Sequence, residues 1–304
     1  MLFKQMPHRL TFLFPVGDEL RLSLAGLTIE IVNGVESFDF DYSPCHEKFL
    51  SRGQTLKPET EILRFEMVDS KTSPDLSPDS LLYRNEIFEV WRNPQNQLTF
   101  TQASQKPQRW IRLEPNFEHG LIIGDFKASN GKMAYPLQYI DIVIFSNWLA
   151  NFGDLLLHAS GIIWEGEGYC FIGHSGAGKS TLARDLREEH GLTVMGEDQI
   201  VLRKLDGQLM VFGTPWHETA DMCAYGGVPL KKIFFLNRSA SQIVSRVNRS
   251  DAVLRLLQTA FYPIYRPEII GGIMDRLIEL SDRVDFFELA YERGSDILSE
   301  ILKA

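Results

Sequence analysis

Three cysteines in 304 residues, Cys45, Cys170 and Cys223, are too few and too far apart for a metal cage or a disulfide framework. Their scarcity points to a reducing compartment. An excess of positive charge is also missing. The chain carries 40 acidic and 31 basic residues, a formal net charge of -9. That excludes broad nucleic-acid binding, which needs a cationic surface. No clean apolar run is long enough for a membrane span. The longest candidate, DIVIFSNWLANFGDLLLHASGIIW, is interrupted by Asp141, Asn147, Asn151, Asp154 and His158, and reads as a buried helix followed by a buried strand. The opening MLFKQMPHRLTFLF carries a charge or proline every few positions, and no small-residue cleavage site follows. A secretion signal and a membrane anchor are therefore not expected, and a cytoplasmic location is. Internal repeats and low-complexity tracts are absent too.

What is present is a soluble globular composition, 44% apolar and 23% charged. Residues 1–136 read as β-rich. LRLSLAGLTIEIVNG alternates as two strands around Gly26, and EIFEVWRNPQNQLTFTQ alternates as a hairpin broken at Asn-Pro-Gln-Asn. KTSPDLSPDS between them reads as an exposed loop. The character changes near Ala134–Pro136, and residues 137–304 read as α/β. Ile140, Val143, Ile144, Trp148 and Leu149 recur at helical spacing. Two apolar runs, DLLLHASGIIW and GYCFIG, predict a hairpin, and STLARDLREEH predicts a helix. LTVMG is a strand ending at Glu197-Asp198, and QIVLRKLDGQLMVFG a hairpin turning at Asp206-Gly207. KKIFFLNR is a further core strand. SDAVLRLLQTAF and GSDILSEILKA are helical, with Ser250 and Ser295 as expected N-caps.

Between the second run and the first of these helices lies Gly173-His174-Ser175-Gly176-Ala177-Gly178-Lys179-Ser180-Thr181. This is Gly-x-x-x-x-Gly-Lys-Ser, flanked by strand and helix as a phosphate-binding loop requires. The glycines let successive N–H groups turn inward, and the helix start adds its positive dipole end. Lys179 would reach the β- and γ-phosphates of ATP, and Ser180 would ligate Mg²⁺. Phosphoryl transfer also needs acids. Glu197 and Asp198 end the next strand, and in a parallel sheet that strand end converges on the loop. One acid would then hold metal and the other face the acceptor hydroxyl. The bland alternative is a solvated turn. His158 reads either as a buried core histidine or as a third catalytic group. Pro215-Trp216-His217-Glu218 reads either as an acceptor-site wall, with Glu218 as a second metal ligand, or as a turn anchored by Trp216. Arg246, Arg249 and Arg255 read as phosphate contacts or as a solvated face.

The segment LLLHASGIIWEGEGYCFIGHSGAGKSTLARDLREEHGLTVMGEDQIVL resembles the catalytic core of the HPr kinase/phosphorylase family. The resemblance runs over about residues 137 to 240. It implies an α/β (α+β) P-loop kinase core, akin to the nucleotide-binding domain of phosphoenolpyruvate carboxykinases, behind a β-rich N-terminal domain. It implies Glu197 as general base towards a seryl hydroxyl, His158 as the group that tunes it, and Asp198 as a metal or supporting acid. Glu197 stands where the family usually has Asp. No arginine-rich segment for phosphorolysis follows, so the resemblance implies a kinase. GTPWHETADMCAYGGVPLKKIFFLNR resembles a divergent branch that includes peptide-serine kinases of lasso-peptide gene sets.

The expected activity is ATP- and Mg²⁺-dependent transfer to a hydroxyl of a protein or peptide serine. A kinase of a free small molecule such as an amino acid is the alternative within enzymes. A non-catalytic nucleotide-binding module that docks a peptide or protein partner is the alternative outside them. Residues 1–136 would bind the acceptor or partner, and homo-oligomer formation stays open.

Overall fold

A computed structural model describes residues 10–51, 61–72, 74, 76–104, 109–126, 132–138, 140–217, 219–237, 243–290 and 297–304. The fold is mixed α and β with large sheets, and divides into two units, Met1–Phe145 and Ser146–Ala304.

The first unit begins with β1 (Leu10–Phe14), β2 (Glu19–Leu24), β3 (Leu27–Val32), β4 (Phe38–Tyr42) and the short helix α1 (Pro44–Glu47). Next come β5 (Leu50–Ser51), β6 (Glu61–Asp69), β7 (Leu81–Arg84), β8 (Phe88–Arg92) and β9 (Leu98–Gln102). β10 (Arg109–Leu113), β11 (His119–Gly124), β12 (Lys132–Ala134) and the helix α2 (Asp141–Asn151) follow. The division between the units falls inside α2, whereas the sequence changes character near Ala134–Pro136.

Alternation explains the hairpins. In β2, Leu20, Leu22 and Leu24 are buried while the residues between them are half-buried. The β2–β3 turn is Ala25-Gly26, both at positive φ, the geometry that matches strand twist in a two-residue hairpin. β8 and β9 pair as the alternation around Asn-Pro-Gln-Asn predicts. The strands form a three-stranded sheet, β1-β4-β12, and a nine-stranded sheet, β5-β2-β3-β6-β11-β10-β9-β8-β7. β6 runs parallel to both of its neighbours. Phe12, Phe14, Phe38 and Phe40 of the small sheet are buried, with Phe14 edge-on to Phe38.

The second unit carries β13 (Leu155–Trp164), β14 (Glu167–Ile172), α3 (Lys179–His190), β15 (Thr193–Gly196), β16 (Gln199–Leu205), β17 (Gln208–Phe212) and β18 (Gly227–Asn237). It continues with β19 (Ile243–Arg246), α4 (Arg249–Thr259), β20 (Ala260–Phe261), α5 (Ile270–Arg283), β21 (Asp285–Ala290) and α6 (Ile297–Lys303). The hairpins turn at Glu165-Gly166 and Asp206-Gly207, at positive φ throughout. The cap of α4 is Asn248, whose side chain accepts the Asp251 N–H, and not Ser250. Ser295 lies outside the described residues.

β13 organises this unit because it lies between the two parts of the site. Leu155 to His158 pair with β16 along one edge, and Ala159 to Trp164 pair with β14 along the other, both antiparallel. β14 runs parallel to β18, not to the strand that precedes Glu197-Asp198. That strand, β15, pairs antiparallel with the far half of β13. Convergence of the acids on the loop therefore comes from β13, which lies between them, and not from a parallel pairing of β14 with β15. Two apolar cores flank the sheet. Leu155, Leu157, Ile200 and Leu202 pack with Leu256 of α4 and Ile273 and Leu277 of α5. Ile162, Phe171 and Phe234 pack with Leu182 and Leu186 of α3 and Ile301 of α6.

One buried ion pair holds the base of β13. The Asp154 carboxylate lies 2.9 Å from Arg203 Nε and 3.1 Å from Arg276 Nη2. Burial pushes this carboxyl up to about 6, against the Lys204 N–H and the two guanidiniums, which pull it down. Arg203→Leu should destabilise the fold at pH 7 by up to about 3–5 kcal/mol, because it leaves a buried carboxylate with Arg276 alone of its two guanidiniums. The carboxyl would then rise further above its unfolded value of about 3.9. A native state that binds more protons gains stability as pH falls, so the loss should shrink from pH 7 towards pH 4. Urea unfolding at both ends of that range checks it. A loss equal at both would contradict the charge argument.

Candidate active site

The loop Gly173–Gly178 leaves the end of β14 and enters α3. Gly176 and Gly178 have φ of +82° and +103°, and a Cβ at either would touch nothing. Glycine is there for backbone conformation and not for space. The Ala177 N–H closes the loop on the His174 carbonyl at 3.0 Å. Ala177 is buried, while His174, Ser175 and Gly176 are exposed. α3 starts from Gly178 with no side-chain cap, so its first-turn N–H groups point into this loop unopposed by a side chain. An uncapped helix start beneath a glycine turn suits an anion. Thr181 is exposed on the first turn.

Lys179 was expected to face solvent with the phosphates, but it is only 6% exposed. Its three ammonium hydrogens match three acceptors: the Gly173 carbonyl at 2.9 Å, the His174 carbonyl at 3.3 Å and His158 Nε2 at 3.0 Å. Burial lowers its pKa, and Asp198 pulls the other way. A lysine has no acceptor, so Nε2 of His158 must take the hydrogen bond and Nδ1 must carry the ring proton. Nδ1 faces Asp198 Oδ1 at 3.0 Å. Lys179, His158 and Asp198 thus form one hydrogen-bonded line.

The backbone explains why these three meet. His158 is the last β13 residue paired with β16 and lies opposite Gln199. Ala159, one residue on, pairs with Ile172 at the threshold of the loop, and its N–H binds the Asp198 carbonyl at 3.0 Å. The end of β14 and the acids thus reach the same level of β13 from its two edges.

The two acids differ. Burial drives the Asp198 carboxyl up, but the His158 hydrogen bond and the neighbouring His158, His217 and Lys179 side chains hold it below the usual carboxylate range. Its second oxygen accepts from Gln199 Nε2 at 2.5 Å. Its side chain is 39% exposed, against 11% for Glu197. Glu197 faces Arg184 of α3 at 3.9 Å, and its main-chain carbonyl accepts from Ser180 Oγ at 3.4 Å. The expected partner of His158 was Glu197; the structure puts Asp198 there.

Glu218, the expected second metal ligand, lies outside the described residues. Among the described residues no group of three or more His, Cys, Asp or Glu side chains could hold a metal ion. Mg²⁺ does not need one, since it keeps several waters and takes one or two protein ligands beside phosphate oxygens. The Ser180 hydroxyl beside the acidic pair fits that requirement.

Sequence reasoning missed Gln199, Thr214 and Arg184. Thr214 Oγ1 donates to the Gln199 carbonyl at 2.8 Å and contacts His217 Nε2 at 3.0 Å. His217 is buried, and a Cβ on Gly196 would come within 2.7 Å of its ring. The Thr214–His217 turn is therefore packed directly behind the acids. Arg246, Arg249 and Arg255 make ion pairs with Asp285, Asp282 and Glu288, and His158 sits edge-on to Phe261.

Known proteins add little to this geometry. No protein-family model matches the chain, and no curated protein matches it. Among solved structures, the HPr(Ser) kinase/phosphatase from Coxiella burnetii is similar at 12% identity and a TM-score of 0.28, over 49% of this chain and 88% of that one. A likeness so loose is compatible with a distant relation in fold, and assigns no role to any residue.

Proposed function

We propose that the chain is an ATP- and Mg²⁺-dependent kinase that transfers a phosphoryl group to a hydroxyl, with a serine of a peptide or protein as acceptor. The observation that carries this reading is the Lys179–His158–Asp198 line at the mouth of the glycine loop. A phosphate loop alone would serve any nucleotide-binding protein. A carboxylate kept ionised within reach of its lysine serves a proton acceptor.

ATP with Mg²⁺ supplies the electrophilic phosphorus and the charge neutralisation that transfer needs. The loop N–H groups and Lys179 hold phosphate oxygens. Ser180 and Glu197 would hold the metal. Asp198 takes the proton of the acceptor hydroxyl as its oxygen bonds to phosphorus. The bond between that phosphorus and the departing diphosphate breaks, and Lys179 steadies the charge left behind. Neutral His158 aims the Asp198 carboxylate with its Nδ1–H and takes no net proton. The acceptor class rests on the resemblance of the His158-to-Asp198 segment to HPr kinases. Every residue given a chemical part lies after residue 150, which leaves acceptor recognition to the β-rich first 136 residues.

Incubation with γ-labelled ATP, serine-containing peptides and free amino acids tests the reading. Label should appear on peptide serine. Label confined to a free amino acid would replace the acceptor class, and an absence of ATP turnover with every acceptor would end the kinase reading.

A further inference from the structure

We propose that Gln199 is the positioning residue that makes Asp198, rather than Glu197, the acting member of the acidic pair. The turnover half of this inference rests on the kinase reading; the geometric half does not.

Gln199 and His158 are directly opposite on β16 and β13. Each takes one oxygen of the same carboxylate: His158 Nδ1 holds Oδ1 at 3.0 Å, and Gln199 Nε2 holds Oδ2 at 2.5 Å. The carboxylate is gripped from both sides and cannot rotate without losing a charge-assisted hydrogen bond. The main chain is fixed as well, by Ala159 N–H on the Asp198 carbonyl and by Thr214 Oγ1 on the Gln199 carbonyl.

The amide also carries its own orientation signal. Gln199 is 2% exposed, and among the described residues no hydrogen-bond donor reaches its buried Oε1. An unsatisfied buried acceptor calls for a reason. Turning the amide over would set Oε1 against the Asp198 carboxylate, two acceptors in contact. The strand therefore tolerates an orphaned carbonyl oxygen in order to keep an N–H on Asp198. Glutamate could not do this while ionised, and an apolar residue could not do it at all.

Gln199→Met keeps length and burial but removes the donor. Gln199→Asn keeps the amide but withdraws it by one methylene, and serves if the first variant folds poorly. In a crystal structure of either, the Asp198 side chain should rotate off His158 Nδ1. Release of γ-phosphate from ATP should fall about 10- to 100-fold in kcat, with KM for ATP unchanged. In an Asp198→Asn background the Gln199 substitution should add nothing, whereas in a Glu197→Gln background its full effect should remain. An Asp198–His158 contact that survives in both variants overturns the proposal, as does a full further loss on top of Asp198→Asn. A wild-type chain that turns over no ATP refutes the kinase reading instead, and the crystallographic comparison still decides the role of Gln199.

Discussion

Asp198→Asn should lower phosphoryl transfer by roughly 10²–10⁴-fold, the usual worth of a positioned general base. Nucleotide affinity should change little, because the loop and Lys179 remain. The side-chain carbonyl of asparagine can still accept from His158 Nδ1, so the line from Lys179 survives in shape. What disappears is the ability to take a proton. The new amide would also face the Gln199 amide, donor against donor, unless Gln199 turns over and satisfies its orphaned oxygen there. The variant should thus be no less stable than the parent while losing turnover, a combination that a damaged fold does not give. Glu197→Gln should act differently. It removes the carboxylate proposed to hold the metal, so its loss should be relieved by raised Mg²⁺. Labelled-ATP turnover across a Mg²⁺ series separates the two. If Glu197→Gln proves the deeper loss and is insensitive to Mg²⁺, the roles of the two acids are exchanged.

Lys179→Met should lower transfer by at least about 10²–10³-fold, the cost of one lost charge-stabilising donor in a water-poor site. Methionine suits the test because Lys179 is buried and its stem is part of the packing. The substitution leaves the Gly173 and His174 carbonyls without their ammonium donor. An unsatisfied buried acceptor costs about 1–3 kcal/mol. The melting temperature of a unit of this size should fall by about 2–4 °C for each of these kcal/mol. Calorimetry should find weakened ATP binding, and the label assay should find almost no transfer. Wild-type transfer in this variant would remove the loop from the chemistry. A melting temperature unchanged or raised would mean that the parent holds its lysine there at a cost.

The hairpins were legible because strand alternation and turn chemistry act locally. Leu20, Leu22 and Leu24 alternate in the sequence, and Asp206-Gly207 breaks its hairpin where the structure does. The loop was legible for the same reason, since glycines, lysine and flanking elements lie within one stretch. The cap of α4 was placed two residues late because Asn248 and Ser250 are both good caps, and only the Asp251 N–H decides between them. α5 was overlooked. Its buried Ile273, Leu277 and Leu280 keep helical spacing, but its first turn carries Gly271 and Gly272, both poor helix formers. The partners of His158 were beyond reach because they depend on which strand lies opposite. Nothing local says that β13 lies between β14 and β16, with Ile172 and Asp198 both meeting Ala159. The same limit hid Gln199, whose letter is ordinary until it is seen across from a histidine.

The place of β13 between loop and acids also makes the chain a ruler. Side chains alternate between faces along a strand, so a one-residue slip would turn His158 away from Asp198. The 21-residue interval from His158 to Lys179 is therefore metrically constrained, with Glu165-Gly166 as the bend between its two strands where length could be absorbed without disturbing register. Along those strands amino-acid identity is free to drift as long as they stay apolar, whereas Gly176 and Gly178 are held by their positive φ. Ancestry in such proteins is better traced by holding that count constant than by scoring letters.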